Sequence, residues 1–244
     1  MLKLYFLLCL TACLTLIFCQ SGPGEIVGVM VHQAAPEFGP REKVTGYELD
    51  TARIYYSGKL RLYHLSYFFD SSDLVTGEKF LSEKRYHYFI YNTDSAFGYD
   101  YNTHFYPQKR RARVDSLLHW QWSPSINLYS MFTVNKTKLL SVQEDRDAGT
   151  THETYSFVNE DSFAHGRMIL GYSSKWVYLP YSFSRELDSI KRMKLFEALL
   201  IQDPRYLPST GTTVDSIRSE YHLEPIKSIP PEVVKLFEDH RRLQ

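Results

Sequence analysis

Cysteine is scarce in this chain, and its three copies all lie near the N-terminus, at Cys9, Cys13 and Cys19. The residues after position 24 contain no cysteine, so they cannot form a disulfide. Extracellular domains of eukaryotes usually carry several disulfides, whereas a larger bacterial envelope protein can fold on its hydrophobic core alone. For a chain that leaves the cytoplasm, this absence favours a bacterial envelope.

The sequence also lacks an excess of charge of either sign. Its 28 Lys and Arg residues are balanced by 28 Asp and Glu residues, which gives a formal net charge of zero. A neutral molecule has no overall field that would attract polyanions. Nucleic acid is therefore not an expected partner.

Motifs for nucleophilic, phosphate or metal chemistry are absent as well. There is no Gly-x-Ser-x-Gly, no Ser-x-x-Lys and no glycine-rich phosphate loop. None of the nine histidines lies two or four residues from another, the spacings that place two imidazoles on one metal ion. We therefore expect no metal and no cofactor.

The first 24 residues have the three parts of a secretory signal peptide. Lys3 is the basic part, residues 4–18 are apolar, and small or polar residues follow from Cys19 to Gly24. The apolar run is shorter than the roughly 20 residues of a membrane-spanning helix. We expect residues 1–24 to be removed on export, which leaves no transmembrane span.

Cys19 admits a second interpretation. Leu16-Ile17-Phe18-Cys19 resembles a bacterial lipoprotein box, in which the cysteine is lipidated after cleavage, but Phe18 is bulky where that motif has Gly, Ala or Ser. A leader cysteine without a role is the favoured reading, and a lipid-anchored form is the alternative. Either way, the expected location is the bacterial periplasm or cell surface.

Aromatic residues are abundant, with 19 Tyr and 15 Phe, and they suit half-buried strands. The segment 53–69 reads as a β-hairpin, with a two-residue turn at Ser57-Gly58. The apolar phase of its second strand changes near Tyr63. Either a single-residue bulge corrects the phase, or both faces of the strand are covered.

The pattern beyond this hairpin predicts further strands. Residues 85–92 are apolar on both faces and are placed inside a sheet, and residues 93–113 are predicted to be a long loop. Six more strands are predicted at 114–122, 126–134, 137–143, 150–158, 168–172 and 175–183, the last five as an antiparallel meander.

The C-terminal part is predicted to be helical. Ser184 is the expected cap of a helix over 185–201, Thr213 caps a short helix, and Pro231 begins a last helix that ends near Arg242. The fold prediction is a mainly β domain at 25–203, a curved antiparallel sheet or half-barrel with a covering helix, followed by a linker and short helices at 204–244. This layout is similar to the half-barrels of periplasmic lipoprotein carriers, a likeness of fold that implies no function.

Two aromatic pairs are candidate binding residues. Trp120 and Trp122 are two residues apart, as are Trp176 and Tyr178, so on strands each pair would share a face. Exposed rings of this kind stack on sugars or apolar ligands, whereas buried ones belong to the core, and the core is favoured.

Charged residues supply the other candidates. The basic run Lys109, Arg110, Arg111 and Arg113 is a candidate anion-binding site, against the more common role of a solvated loop. A dispersed carboxylate pair among Asp94, Asp100, Glu153 and Asp161 would suit a glycosidase.

These observations predict an exported cell-envelope protein without enzymatic activity, whose sheet binds a glycan, a lipid or another envelope protein. The alternative is a hydrolase of polysaccharide or lipid that uses dispersed carboxylates or histidines.

Overall fold

The computed structural model describes residues 25–38, 44–72, 79–102, 106–115, 132–135, 137–159, 164–207 and 211–242. In these ranges the chain forms thirteen strands and two helices. The strands are β1 (Val27–Phe38), β2 (Val44–Ser57), β3 (Leu60–Ser72), β4 (Lys79–Asn92), β5 (Phe97–Asn102), β6 (Tyr106–Arg113), β7 (Thr137–Asp145), β8 (Thr150–Asn159), β9 (Ala164–Ser173), β10 (Lys194–Gln202), β11 (Arg205–Leu207), β12 (Thr212–Val214) and β13 (Ile217–Ile226). The helices are α1 (Arg185–Lys191) and α2 (Pro231–Arg241).

Eleven strands form one antiparallel sheet in the order β6-β5-β4-β3-β2-β1-β13-β10-β9-β8-β7, and β11 pairs separately with β12. Within the described part of the chain, β6 and β7 each pair with a single neighbour, so the sheet is not closed. The prediction of a large antiparallel sheet with covering helices is confirmed. Neither described helix has the length and apolar composition needed to cross a membrane.

The interior strands are apolar on both faces because both faces are covered. On β2, Ile54 belongs to one hydrophobic cluster and Tyr55 to the other, and on β4 the same holds for Phe89 and Ile90. On β3, the register with both neighbouring strands is continuous past Tyr63. The phase change in β3 therefore reflects two covered faces, and no bulge lies there.

The two faces of the sheet have different covers. The α1 face is covered by the segment 174–184 and by α1, which pack buried side chains on it, among them Leu179, Phe183 and Leu187. The α2 face is covered over β2 to β5 by α2, through Val233 and Phe237.

The hairpin prediction needs a shift of one residue. Ser57 pairs with Leu60, so the two-residue turn is Gly58-Lys59, and Gly58 takes a positive φ of 58°. β1 continues through residues 34–38, where Pro36 pairs with β2 alone, beyond the last contact with β13 at Ala34. Proline is tolerated there because no second neighbour needs its missing N–H group.

The prediction of a long loop at 93–113 is wrong, because this segment contains β5 and β6. A short turn joins β4 to β5, and the Thr93 and Ser95 amides in this turn donate backbone hydrogen bonds. The strand predicted at 114–122 is not supported at Val114 and Asp115, and its remainder lies outside the described residues. In the strand predicted at 126–134, residues 132–134 are irregular and the earlier ones lie outside the described residues.

The strand predicted at 175–183 is also wrong. Leu179, Tyr181 and Phe183 alternate with more exposed neighbours, as in a strand, but they pack onto the α1 face without pairing. The helix predicted at 185–201 ends after seven residues, because Arg192 adopts a left-handed conformation, and the nine residues from Lys194 to Gln202 form β10.

The region after residue 204 also contains strands where a helix was predicted. The short helix predicted after Thr213 is wrong, since residues 212–214 and 217–226 are strands, and β13 lies between β1 and β10. The last helix is confirmed, with Pro231 in its first turn.

Candidate functional site

The basic run lies on β6, an outer strand of the sheet. Lys109 and Arg111 point to the α2 face, where the Lys109 ammonium is 3.7 Å from the centre of the Tyr99 ring and the Arg111 guanidinium 4.1 Å from that of Phe97. Both contacts are cation–π interactions. Burial, followed by the nearby Lys109 charge, lowers the pKa of His240 in α2.

The other two cations of the run have carboxylate neighbours. Arg110 is 3.6 Å from Asp100 across the β5–β6 pair, and Arg113 is 3.6 Å from Asp115. The run is therefore a strand with alternating sides rather than a solvated loop, and the sequence reasoning missed that alternation.

Trp176 and Tyr178 do not share the face of a strand. Both lie in a turn, where Trp176 packs edge-on against Phe196 at 5.1 Å and Tyr178 remains 62% exposed. Trp120 and Trp122 lie outside the described residues, as does Cys19.

Among the described members of the proposed carboxylate set, Glu153 does not lie beside Asp94 or Asp100. Asp94 binds Lys59 in a turn, Asp100 lies on β5, and Glu153 lies on β8, at the other end of the strand order. Glu153 is buried and accepts hydrogen bonds from Lys191 and Tyr155, each at 2.6 Å. Asp161 lies outside the described residues.

Three histidines form a row that the sequence reasoning did not find. The row crosses the five neighbouring strands β1, β13, β10, β9 and β8. Its members in this order, each paired with the next across the sheet, are His32, His222, Glu197, Gly171 and His152. The signal was hidden because the residues around 222 were predicted to follow a helix rather than to lie in a strand.

Gly171 lies between His152 and Glu197, whose side chains contact each other across it. The His152 imidazole reaches over β9 to Glu197, with 3.3 Å between Nε2 and Oε2. A Cβ atom on Gly171 would lie 3.0 Å from the His152 ring and 3.1 Å from the Glu197 Cβ. A larger residue at position 171 would therefore force the His152 ring or the Glu197 side chain to move by a few tenths of an ångström.

His32 links a hydroxyl to a carboxylate. Its Nδ1 is 3.1 Å from the Thr51 hydroxyl and its Nε2 is 3.2 Å from Glu224. Among the described residues, no group of three or more His, Cys, Asp or Glu has an arrangement that could hold a metal ion.

A surface cavity of about 380 Å³ lies between α1 and the segment that precedes it. From α1 and its C-terminal end come Arg185, Asp188, Ser189 and Arg192, whose spacing of three, four and seven residues places them on one helical face. Leu187, on the buried side of α1, anchors the helix to the sheet. The same helix thus has an apolar side on the core and a polar side in the cavity.

Asp188 and Lys194 fix the floor of the cavity. The Lys194 ammonium donates to Asp188 at 2.7 Å and to the Tyr181 carbonyl at 2.9 Å, and the Leu195 amide donates to Asp188 at 2.7 Å. Ser184 caps α1 by accepting from the Leu187 amide. These bonds tie α1, β10 and the preceding segment together, and they neutralise the Lys194 charge.

The other two cations of the cavity lining are Arg185 and Arg192. Within the described part of the chain, Arg185 and Arg192 form no ion pair. Burial raises the pKa of Tyr56 strongly, and Arg185 is among the cations that oppose this effect. The cavity therefore has an excess of positive charge.

Ser182 adds an unpaired polar atom to the cavity lining. Its hydroxyl oxygen is buried and has no hydrogen-bond partner among the described residues. Val177, Pro180 and Met193 supply an apolar part of the wall.

The chain matches no known protein family, and no curated protein has significant sequence similarity to it.

Proposed function

We propose that this protein is an exported, non-enzymatic binding protein of the cell envelope, and that its ligand is a small organic anion held in the cavity beside α1. The proposal of export depends on the N-terminal segment with its signal-peptide pattern. The proposal of anion binding depends on one observation, which is the cavity with two arginines that have no carboxylate partner in the described part of the chain.

Electrostatics selects the sign of the ligand. Among the described residues of the lining, Asp188 is the one acidic residue, and Lys194 already pairs with it. Arg185 and Arg192 are then left as two uncompensated cations, and guanidinium groups bind carboxylate and phosphate oxygens by paired hydrogen bonds. A buried serine hydroxyl without a partner, as at Ser182, offers a further donor.

The size and the apolar wall indicate an organic anion rather than an inorganic one. A cavity of about 380 Å³ is within the range of small-molecule sites. Val177, Pro180 and Met193 provide a surface for a hydrocarbon or aromatic part of the ligand. A carboxylate or phosphate ester with a short apolar group fits this lining.

Arg192 offers a variant that separates binding from folding. It is the only non-glycine residue with a positive φ (54°) in the described part of the chain, at a helix end where glycine is commonly found. Arg192→Gly removes the charge and relieves the backbone. We expect the free energy of unfolding to stay the same or to rise by up to about 1 kcal/mol, while ligand affinity falls.

Calorimetric titration tests the proposal with phenyl phosphate and benzoate as probes and benzyl alcohol as the uncharged control. Both anions should bind, the alcohol should not, and Arg185→Gln combined with Arg192→Gly should weaken anion binding by about tenfold or more, the loss of two charged hydrogen bonds. Arg146→Gln, in the exposed turn between β7 and β8, is the control and should bind as the parent does. Equal binding of anion and alcohol, or equal affinity in both variants, would contradict the proposal.

A second candidate function is hydrolysis, and it is favoured by the chain of Thr51, His32 and Glu224. A carboxylate that orients an imidazole beside a hydroxyl is the arrangement that activates an oxygen nucleophile. Hydrolysis of p-nitrophenyl butyrate tests it, with Thr51→Val and His32→Gln as variants. A rate indistinguishable from buffer, or one that both variants retain, would exclude this activity.

A further inference from the structure

We propose that the outer edge of β6 binds an acidic, extended segment of a partner protein, which pairs with β6 as an additional strand. This site is separate from the cavity beside α1, and it concerns a polypeptide instead of a small molecule.

The edge supplies the backbone groups for such pairing. Within the described residues β6 pairs only with β5, so one side of its backbone has N–H and C=O groups without a strand partner. A free edge of this kind is a template for strand addition. Between Arg110 and Arg113 the register with β5 is regular, which keeps the edge straight there.

The side chains supply the preference for acidic residues. Lys109, Arg111 and Arg113 occupy alternate positions of β6, and the contacts of Lys109 with Tyr99 and of Arg111 with Phe97 place this set on the α2 face. Alternate residues of a strand are about 6.7 Å apart. Glutamates at alternate positions of an added strand have the same spacing, so each carboxylate can lie beside one cation.

The local contacts keep these cations available. Stacking on an aromatic ring restrains the cation without neutralising it. Asp115 competes for Arg113, but both side chains are largely exposed and such a pair is weak. Arg110, on the other side of the strand, is next to Asp100 and is not part of the proposed surface.

A peptide fits these features better than an acidic polysaccharide. A polysaccharide can neutralise the cations, but it has no backbone amides to continue the sheet. The matched spacing and the free edge together require an extended polypeptide.

Fluorescence anisotropy tests the proposal with a labelled nine-residue peptide in which glutamate alternates with threonine, at about 50 mM salt, where screening is moderate. The control peptide has the same composition with consecutive glutamates, and heparin is the polysaccharide control. We expect the alternating peptide to bind at least about fivefold more tightly than the control peptide, equivalent to one strong cross-strand charge pair. Equal binding of the two peptides, or displacement of the alternating peptide by heparin at lower concentration than by unlabelled peptide, would overturn the proposal.

Matched arginine variants locate the surface. Arg111→Gln and Arg113→Gln should each weaken binding by about two- to fivefold, whereas Arg110→Gln should leave it within twofold. An equal loss in all three variants would indicate diffuse charge attraction and overturn the proposal. Arg185→Gln with Arg192→Gly should leave peptide binding unchanged, so failure of the cavity proposal and failure of this one are distinguishable.

Discussion

Breaking the ion pair between Asp188 and Lys194 should cost more stability than breaking an exposed pair of the same residue types. The side chains are 15% and 8% exposed, and the pair joins α1 to the first residue of β10. Asp188→Ala leaves a nearly buried ammonium whose remaining acceptor in the described structure is the Tyr181 carbonyl.

The size of the effect follows from the burial. Removing one partner of a buried ion pair costs about 3 to 5 kcal/mol, because the other charge stays behind without compensation. Lys194→Met should cost less, about 2 kcal/mol, since the Asp188 carboxylate keeps its hydrogen bond from the Leu195 amide. The double variant Asp188→Ala, Lys194→Met leaves no charge, so its loss should be smaller than the sum of the two single losses by about 1 to 3 kcal/mol.

Urea unfolding followed by circular dichroism measures these differences. With a slope of about 3 kcal/mol per molar urea, Asp188→Ala should lower the midpoint by about 1 to 1.7 M. Asp94→Ala is the matched control, because Asp94 pairs with Lys59 at the surface, with the side chains 60% and 70% exposed, and it should cost less than about 1 kcal/mol. Equal costs for Asp188→Ala and Asp94→Ala, or strictly additive effects at Asp188 and Lys194, would refute the reasoning.

Three further predictions follow from the buried polar groups. Lys191→Met leaves the buried Glu153 carboxylate without its cation, and since Lys191 is 30% exposed we expect a loss near the lower limit for a buried pair, about 3 kcal/mol, in urea unfolding. Burial raises the pKa of Tyr55 to about 12, so the folded protein keeps a proton that the unfolded chain loses near pH 10. The resulting stability is intact below about pH 10 and is lost as the pH rises through about 12. The difference in absorbance at 295 nm between the parent and Tyr55→Phe, which isolates Tyr55 from the other tyrosines, should therefore change together with the circular dichroism of the parent. Gly171→Ala should displace the His152 imidazole and cost about 1 kcal/mol, which imidazole NMR shifts and thermal unfolding would detect; unchanged shifts would contradict the close approach.

The strand-rich core could be predicted from local pattern. The turn at Gly58, the doubly apolar strand around Phe89 and the capped start of α1 at Ser184 are each encoded within a few residues. A turn needs glycine at a positive φ, a strand covered on both faces needs apolar residues without alternation, and a helix start needs a side-chain acceptor.

Sequence pattern was not sufficient where the same signal suits two structures. Residues 194–202 contain leucine and alanine, good helix formers, yet they form β10 because β9 and β13 flank them on both sides. Leu179, Tyr181 and Phe183 alternate like a strand while they lie on the sheet face. Local propensity is overridden here by contacts between distant segments.

The cavity was missed for a related reason. Arg185 and Arg192 share a helical face, but a polar helix face is usually solvated, and the sequence does not reveal that residues 177–182 lie opposite it. The row of His32, His222 and His152 depends on the register of five strands, and such register is set by pairing across nearly the whole chain.

A crystal structure with 4-bromobenzoate tests the central claim most directly, because the anomalous signal of bromine locates the ring independently of the carboxylate. We predict the carboxylate within hydrogen-bonding distance of Arg185 or Arg192, and the bromine-bearing ring against Val177, Pro180 and Met193. An ordered bromine elsewhere on the protein, with the cavity empty at a concentration that saturates binding in calorimetry, would contradict the proposed anion site.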